Sequence, residues 1–229
     1  MAPLWVKAYR DRGYQVVANA RTIYQGDDPH VVAVPGDIAD PATADHMVDA
    51  ALSRFGRIDA LVNNTGIFVS KPFTRYSLQD FTTKVGVNLG GFFHATRRAM
   101  EAMLAQGSGH VVSITSTLVD QSMAAVPALL TSLTKGGIVA ATRALAIEVA
   151  APGVRVNAVS PGIVATPMHA PERYPVFSAL HPMGRIGSVD DVVQAVLYLE
   201  EATFVTGEIL HVDGGQSAGH WPIVESAHA

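Results

Sequence analysis

Short runs of β-branched and other apolar residues alternate along this chain with longer stretches whose apolar positions recur at helical spacing. The short runs are 15–19, 31–34, 59–64, 109–114, 154–159 and 209–212. They are close to continuously apolar rather than alternating, which is the pattern of strands buried on both faces. Between them the helical spacing predicts helices over 5–12, 41–55, 88–106 and 130–150. Gly13 stops the first helix, and Pro35-Gly36-Asp37 closes the second strand. Repeated strand–helix–strand units with right-handed crossovers build a doubly wound parallel sheet. The expectation is a single-domain α/β, Rossmann-like fold over residues 1–229, undivided by repeats, low-complexity tracts or linkers.

Composition then narrows the function classes. Apolar residues make up 48% of the chain and charged ones 16%, a globular balance without the signature of disorder. The net charge is −4 and no Lys/Arg block appears, which argues against a nucleic-acid or anionic-membrane partner. The absence of cysteine excludes disulfides and thiol chemistry. No apolar run is long enough to span a bilayer and no signal peptide opens the chain, so a cytoplasmic location is expected. The histidines are scattered without metal-ligand spacing, and no metal is expected.

A nucleotide bound at the carboxyl ends of parallel strands meets loops, so glycine and polar residues should gather there. They do, in Asn63-Asn64-Thr65-Gly66, Ser113-Ile114-Thr115-Ser116, the run from Arg155 to Pro161-Gly162, and Val212-Asp213-Gly214-Gly215. Together with Asn88, Lys135-Gly136-Gly137, Thr166, the 182–187 segment and Thr206-Gly207, these motifs stand in the order of a known family. From about Val6 to Gly215 the chain resembles the short-chain dehydrogenase/reductases.

That resemblance implies carbonyl or alcohol oxidoreduction on a small-molecule substrate with a nicotinamide cofactor. Asn88, Ser116 and Lys135 match the family's catalytic positions, and Thr131 stands where its tyrosine belongs. Asn64 and Gly66 match the adenine-ribose turn, Asp37 the adenine contact, Lys135 the ribose contact, and Pro161, Gly162 and Thr166 the nicotinamide side. A homodimer or homotetramer, formed through the helices at 88–106 and 130–150, is also implied. By their residue types alone, Asp37 serves equally well as a cap for the helix at Pro41, and Asn64 and Gly66 as turn residues. At the end of the second family strand stands Ala20-Arg21 with no carboxylate, so Arg21 points to NADP, with NAD the alternative.

Two departures qualify the resemblance. The chain opens with Ala2-Pro3-Leu4-Trp5, which reads as the middle of the family's first helix, without its first strand and glycine-rich phosphate turn. Either the next strand closes the gap, another segment fills it, or the reading frame starts late, which is the reading favoured. The second departure is Thr131 itself, four residues before Lys135. A threonine hydroxyl is too weak an acid for one adjacent cation to bring near neutrality. A catalytically silent homologue is therefore the second hypothesis, and a hydrolase using Ser132-x-x-Lys135 the third. Residues 168–185 form a substrate lid, in which His169 and His181 are read as surface histidines; Asp120 and Tyr174 are further movable candidates.

Overall fold

The computed structural model describes residues 2–219. Helix α1 (Ala2–Arg10) leads to strands β1 (Val16–Ala20) and β2 (Val31–Pro35), then α2 (Pro41–Phe55) and β3 (Ala60–Asn63). Next come α3 (Leu78–Val85), α4 (Gly91–Gln106), β4 (Gly109–Ile114) and α5 (Leu129–Val149). The chain finishes through β5 (Val154–Pro161), α6 (Tyr174–Ser178), α7 (Val189–Glu201) and β6 (Ile209–Val212). Local chemistry sets several of these bounds. Asp40 caps α2 by accepting from the Ala42 N–H, Pro41 follows as the first helical residue, and Gly56 ends the helix at φ 80°. Asp40, not Asp37, is therefore the cap; Asp37 closes a local turn onto the Ala39 N–H.

Helices α3 and α7 were not among the elements read from sequence, although each opens with a capping box, Ser77 with Asp80 and Ser188 with Asp191. The helix expected from residue 88 starts earlier: α3 runs through a π-helical turn, Gly86–Gly90, directly into α4.

All strand pairs are parallel, but the sheet is in two parts. Strand β1 pairs with β2, while β3, β4, β5 and β6 pair in that order. The facing edges of β1 and β3 do not meet. A cleft of about 1220 Å³ lies between them, lined by Val16, Ala18, Ala60 and Val62 with Trp5 and Ile38. The expectation that every strand is buried on both faces accordingly holds for β4 and β5 and not for β3, all of whose residues are only half-buried.

Helices cover both faces of the larger sheet, as alternation along its strands requires. Val112, Ile114 and Val159 pack with Trp5 and Tyr9 of α1 and with Val192 and Val196 of α7. Val111, Val154 and Val156 face the other way, against Val48 of α2, Met103 of α4 and Val149 of α5.

A buried histidine of this core links its packing to pH. His110 on β4 is 2% exposed; its Nδ1 is 3.0 Å from Glu200 Oε2 and its Nε2 3.0 Å from Asn157 Nδ2. Because the Asn157 amide donates, Nε2 must accept, which places the single proton on Nδ1, donating to Glu200. Burial lowers the His110 pKa below its usual 6.5 and outweighs the pull of Glu200. The unfolded chain then takes up this proton first as pH falls, so protonation favours unfolding. The contribution is complete above pH 6.5 and is lost below it. We expect the unfolding free energy read from urea titrations to fall between pH 7 and 5, by up to about 1.4 kcal/mol per pH unit from this residue. The fall should be shallower in His110→Gln, and an equal slope in that variant would exclude His110 as its source.

Candidate active site

The carboxyl end of the larger sheet gathers part of the expected site. Asn88 sits in the π-helical turn, a geometry that widens the helix and is frequent at functional positions. It is 1% exposed; its Oδ1 accepts from the Ile67 N–H at 3.0 Å and its Nδ2 donates to Thr134 Oγ1 at 3.1 Å. These bonds tie the loop after β3 to α5. Lys135 extends from α5 and donates to the Ile114 carbonyl at 2.6 Å, at the very end of β4. Burial, and then the charge of Lys84, lower its pKa to about 8.

Gly66 lies against both groups. A Cβ there would fall 3.2 Å from Lys135 Nζ and 3.4 Å from Asn88 Oδ1, so any larger residue would crowd the lysine. Nearby, the side-chain oxygen of Asn64 is buried without a hydrogen-bond partner among the described residues. Such a group costs about 1–3 kcal/mol unless something donates to it. Asn64, Asn88 and Lys135 all line the cleft between the two sheet parts, so this polar corner and the apolar slot are one space.

The other expected residues are spread around this corner. Ser116 lies two residues past the end of β4, is partly exposed, and accepts from the Leu118 N–H at 3.3 Å. Thr131 is buried on α5, one turn before Lys135 and on the same side of the helix. Pro161 ends β5, and the Gly162 N–H donates to the Val212 carbonyl at 3.1 Å. Gly162 is packed closely: a Cβ there would meet His181 Nε2 at 2.7 Å and Asp213 Cα at 3.0 Å. Thr166, half-buried, accepts from the Met168 N–H at 3.4 Å. Arg21 and Asp37 stand exposed at the ends of β1 and β2. Asp120 pairs with His211 at 3.0 Å, away from Lys135's contacts.

The reading of His181 as a surface residue is corrected. It is 2% exposed, its Nδ1 is 2.9 Å from the Phe177 carbonyl, and its Nε2 accepts from the Ile163 N–H at 3.1 Å. This ring fastens the 168–185 segment to the loop after β5. His169 is half-buried and edge-on to Phe177.

Lys84 was missed. It projects from α3 into complete burial, donates to Thr131 Oγ1 at 2.7 Å, and lies 5.3 Å from the centre of the Phe68 ring. Burial lowers its pKa to about 8. A signal was available: Lys84 stands four residues before Asn88, so a charged residue shares the inward helix face of a candidate site residue. Among the described residues no group of three or more His, Asp or Glu is placed to hold a metal ion, and no helix is long and apolar enough to cross a membrane.

Parallel strands joined by crossover helices, with glycine and polar residues at their carboxyl ends, define a doubly wound nucleotide-binding type of α/β protein. The chain belongs to the short-chain dehydrogenase/reductase family: the family model described as enoyl-(acyl carrier protein) reductase matches residues 5–217. It is 36% identical over 192 residues to (2S)-[(R)-hydroxy(phenyl)methyl]succinyl-CoA dehydrogenase subunit BbsD of Thauera aromatica, covering 82% of this chain and 76% of that one. Among solved structures it resembles 3-ketoacyl-(acyl-carrier-protein) reductase from Brucella melitensis complexed with NADH, with TM-score 0.84 and 32% identity over 93% of this chain and 92% of that one. ElxO with NADP bound superposes with TM-score 0.88 at 25% identity, covering 95% and 94% of the two chains.

Proposed function

We propose that this chain is an NADP(H)-linked oxidoreductase interconverting a small carbonyl compound and its alcohol, with an acid–base site that departs from the family pattern. The observation that carries this is the corner at Gly66, where Asn88 and Lys135 converge beside the unpartnered Asn64 oxygen. A ribose hydroxyl is the kind of donor that oxygen lacks, and Lys135, bonded among the described residues only to the Ile114 carbonyl, retains N–H groups for a second hydroxyl. The residues present therefore fit the ribose and nicotinamide end of a dinucleotide. When bound, that cofactor gives or takes the hydride. Ser116, at the strand end, orients and polarises the substrate oxygen, while Lys135 holds the ribose.

Direct titration with NADPH and NADH, followed by nicotinamide fluorescence, tests this reading. Micromolar binding, tighter for NADPH, is expected; a folded chain that binds neither would overturn it. Arg21 supplies the cofactor preference. Arg21→Ala should cut the NADPH-over-NADH preference roughly tenfold, as loss of one charge-assisted phosphate contact predicts. An unchanged ratio would remove Arg21 from the site.

Relatives named as a 3-ketoacyl-(acyl-carrier-protein) reductase and a hydroxy(phenyl)methylsuccinyl-CoA dehydrogenase support a thioester-bearing substrate, such as a 3-ketoacyl chain, for the same pocket. Phe93 and Leu104 on α4 and Leu133 and Ile147 on α5 leave apolar side chains exposed, which supports a homodimer or homotetramer through these helices. The Ser132-x-x-Lys135 hydrolase finds less support. Ser132 donates to the Leu118 carbonyl at 2.9 Å and Lys135 to that of Ile114, so neither is turned to the other.

A further inference from the structure

Lys84 is a buried cation without an anion. Among the described residues no carboxylate lies within ion-pair distance of it, and its one hydrogen bond is to Thr131. The nearest acid along α3, Asp80, is one turn away and is held by Lys71 at 2.7 Å. Facing Lys84 from α5 is Lys135, a second buried ammonium, whose pKa it depresses. From the loop after β3 come the Phe68 ring and, further along, Lys71; Tyr76 is turned away, donating to the Val69 carbonyl. Folding two cations together without compensation is costly, and a hydrophobic residue at position 84 would avoid the cost. The feature therefore calls for a role other than stability.

Thr131 supplies the connection. Its Oγ1 accepts from Lys84, which leaves its own proton free to be donated onward. Thr131 and Lys135 share one side of α5, and Lys135 lines the cleft. We infer that Lys84 and Thr131 together form a proton relay that takes the place of a single acidic side chain in the proposed oxidoreduction. In reduction, where a bound nicotinamide would supply hydride to the carbonyl carbon, the carbonyl oxygen takes the Thr131 hydroxyl proton. Thr131 is reprotonated by Lys84 in the same event, and the resulting neutral amine, itself shut off from solvent, regains a proton back through the Thr131 hydroxyl once the alcohol has left and water takes its place. Oxidation runs the sequence backwards. Because threonine gains one proton as it loses another, it never persists as an alkoxide, which removes the objection that its hydroxyl is too weak an acid.

The inference rests on the oxidoreductase reading, and the test separates the two. Lys84→Met and Thr131→Val should keep NADPH binding within about threefold while lowering kcat on a carbonyl substrate by about 100-fold, the scale of general acid catalysis. Thr131→Ser, which keeps the hydroxyl, should restore most of the rate. In the unaltered chain, reduction should decline and alcohol oxidation rise as pH passes about 8, the pKa to which burial brings Lys84. Lys84→Met should fold with an equal or higher Tm, since it removes an unpaired buried charge. Independently of turnover, the ε-carbon NMR signal of Lys84 should titrate well below an exposed lysine. Binding and turnover that survive Lys84→Met, or a Lys84 that titrates as an exposed lysine does, would overturn the relay alone. No dinucleotide binding by the unaltered chain would overturn the oxidoreductase reading first and the relay with it.

Discussion

Lys135→Met is expected to lower kcat/KM by at least about 100-fold and to weaken NADPH binding by about 10-fold or more, while the protein stays folded. The binding loss follows from removing a charge-assisted bond worth about 1.5–3 kcal/mol at a ribose hydroxyl. The rate loss adds the misplacement of the nicotinamide once the ribose is no longer held. Methionine matches the length of the lysine stem, and the Ile114 carbonyl that accepts from Lys135 is the one main-chain group left short of a bond. Deleting one of two neighbouring buried ammonium groups also relieves their repulsion. Tm should therefore change little. Stopped-flow binding and steady-state kinetics on the same preparation read both quantities. Near-native binding and turnover in a folded Lys135→Met protein would show that the corner at Gly66 is not where the nucleotide sits.

The contrast between Lys135 and Lys84 shows what was legible in the sequence. Lys135, Gly66 and Asn88 could be found because each matches a motif of the family that the chain resembles. The structure adds how these three converge, with the lysine so close to the glycine that a Cβ there would press on its Nζ at 3.2 Å. Lys84 belongs to no motif, and its helix was not recognised, since an eight-residue α3 offers little more than two turns of periodicity. His181 failed for another reason: a histidine in a proline-rich segment reads as exposed, and its two backbone partners, Phe177 and Ile163, are set only by the path of the loop. The strands themselves were readable to within a residue or two because their runs are continuously apolar. Whether they form one sheet was not, because edge pairing depends on which strands come to lie side by side.

That division of the sheet gives the second large effect. An extended apolar segment of about five residues, joined ahead of α1 by a flexible linker, should raise Tm by about 10 °C. Strands β1 and β3 each pair on one side only, and both run parallel, so one added parallel strand could satisfy both edges. The cleft between them is lined by valine, alanine and isoleucine side chains, and the Trp5 indole N–H beside it is buried without an acceptor among the described residues. Each backbone bond formed there contributes a net of about 1 kcal/mol, and apolar burial adds to it against the ordering of the segment. A net gain of about 3–4 kcal/mol corresponds to the expected rise for a domain of this size. Replacing alternate residues of the segment with proline removes the donors and should abolish the effect. Amide exchange should slow along β1 and β3 and not along β5, which already has a partner on each side. If Tm and exchange are the same with and without the added strand, the cleft is not a strand site. In that event β1 and β2 stand as a separate ribbon, braced against the main sheet by α1 and α2 alone.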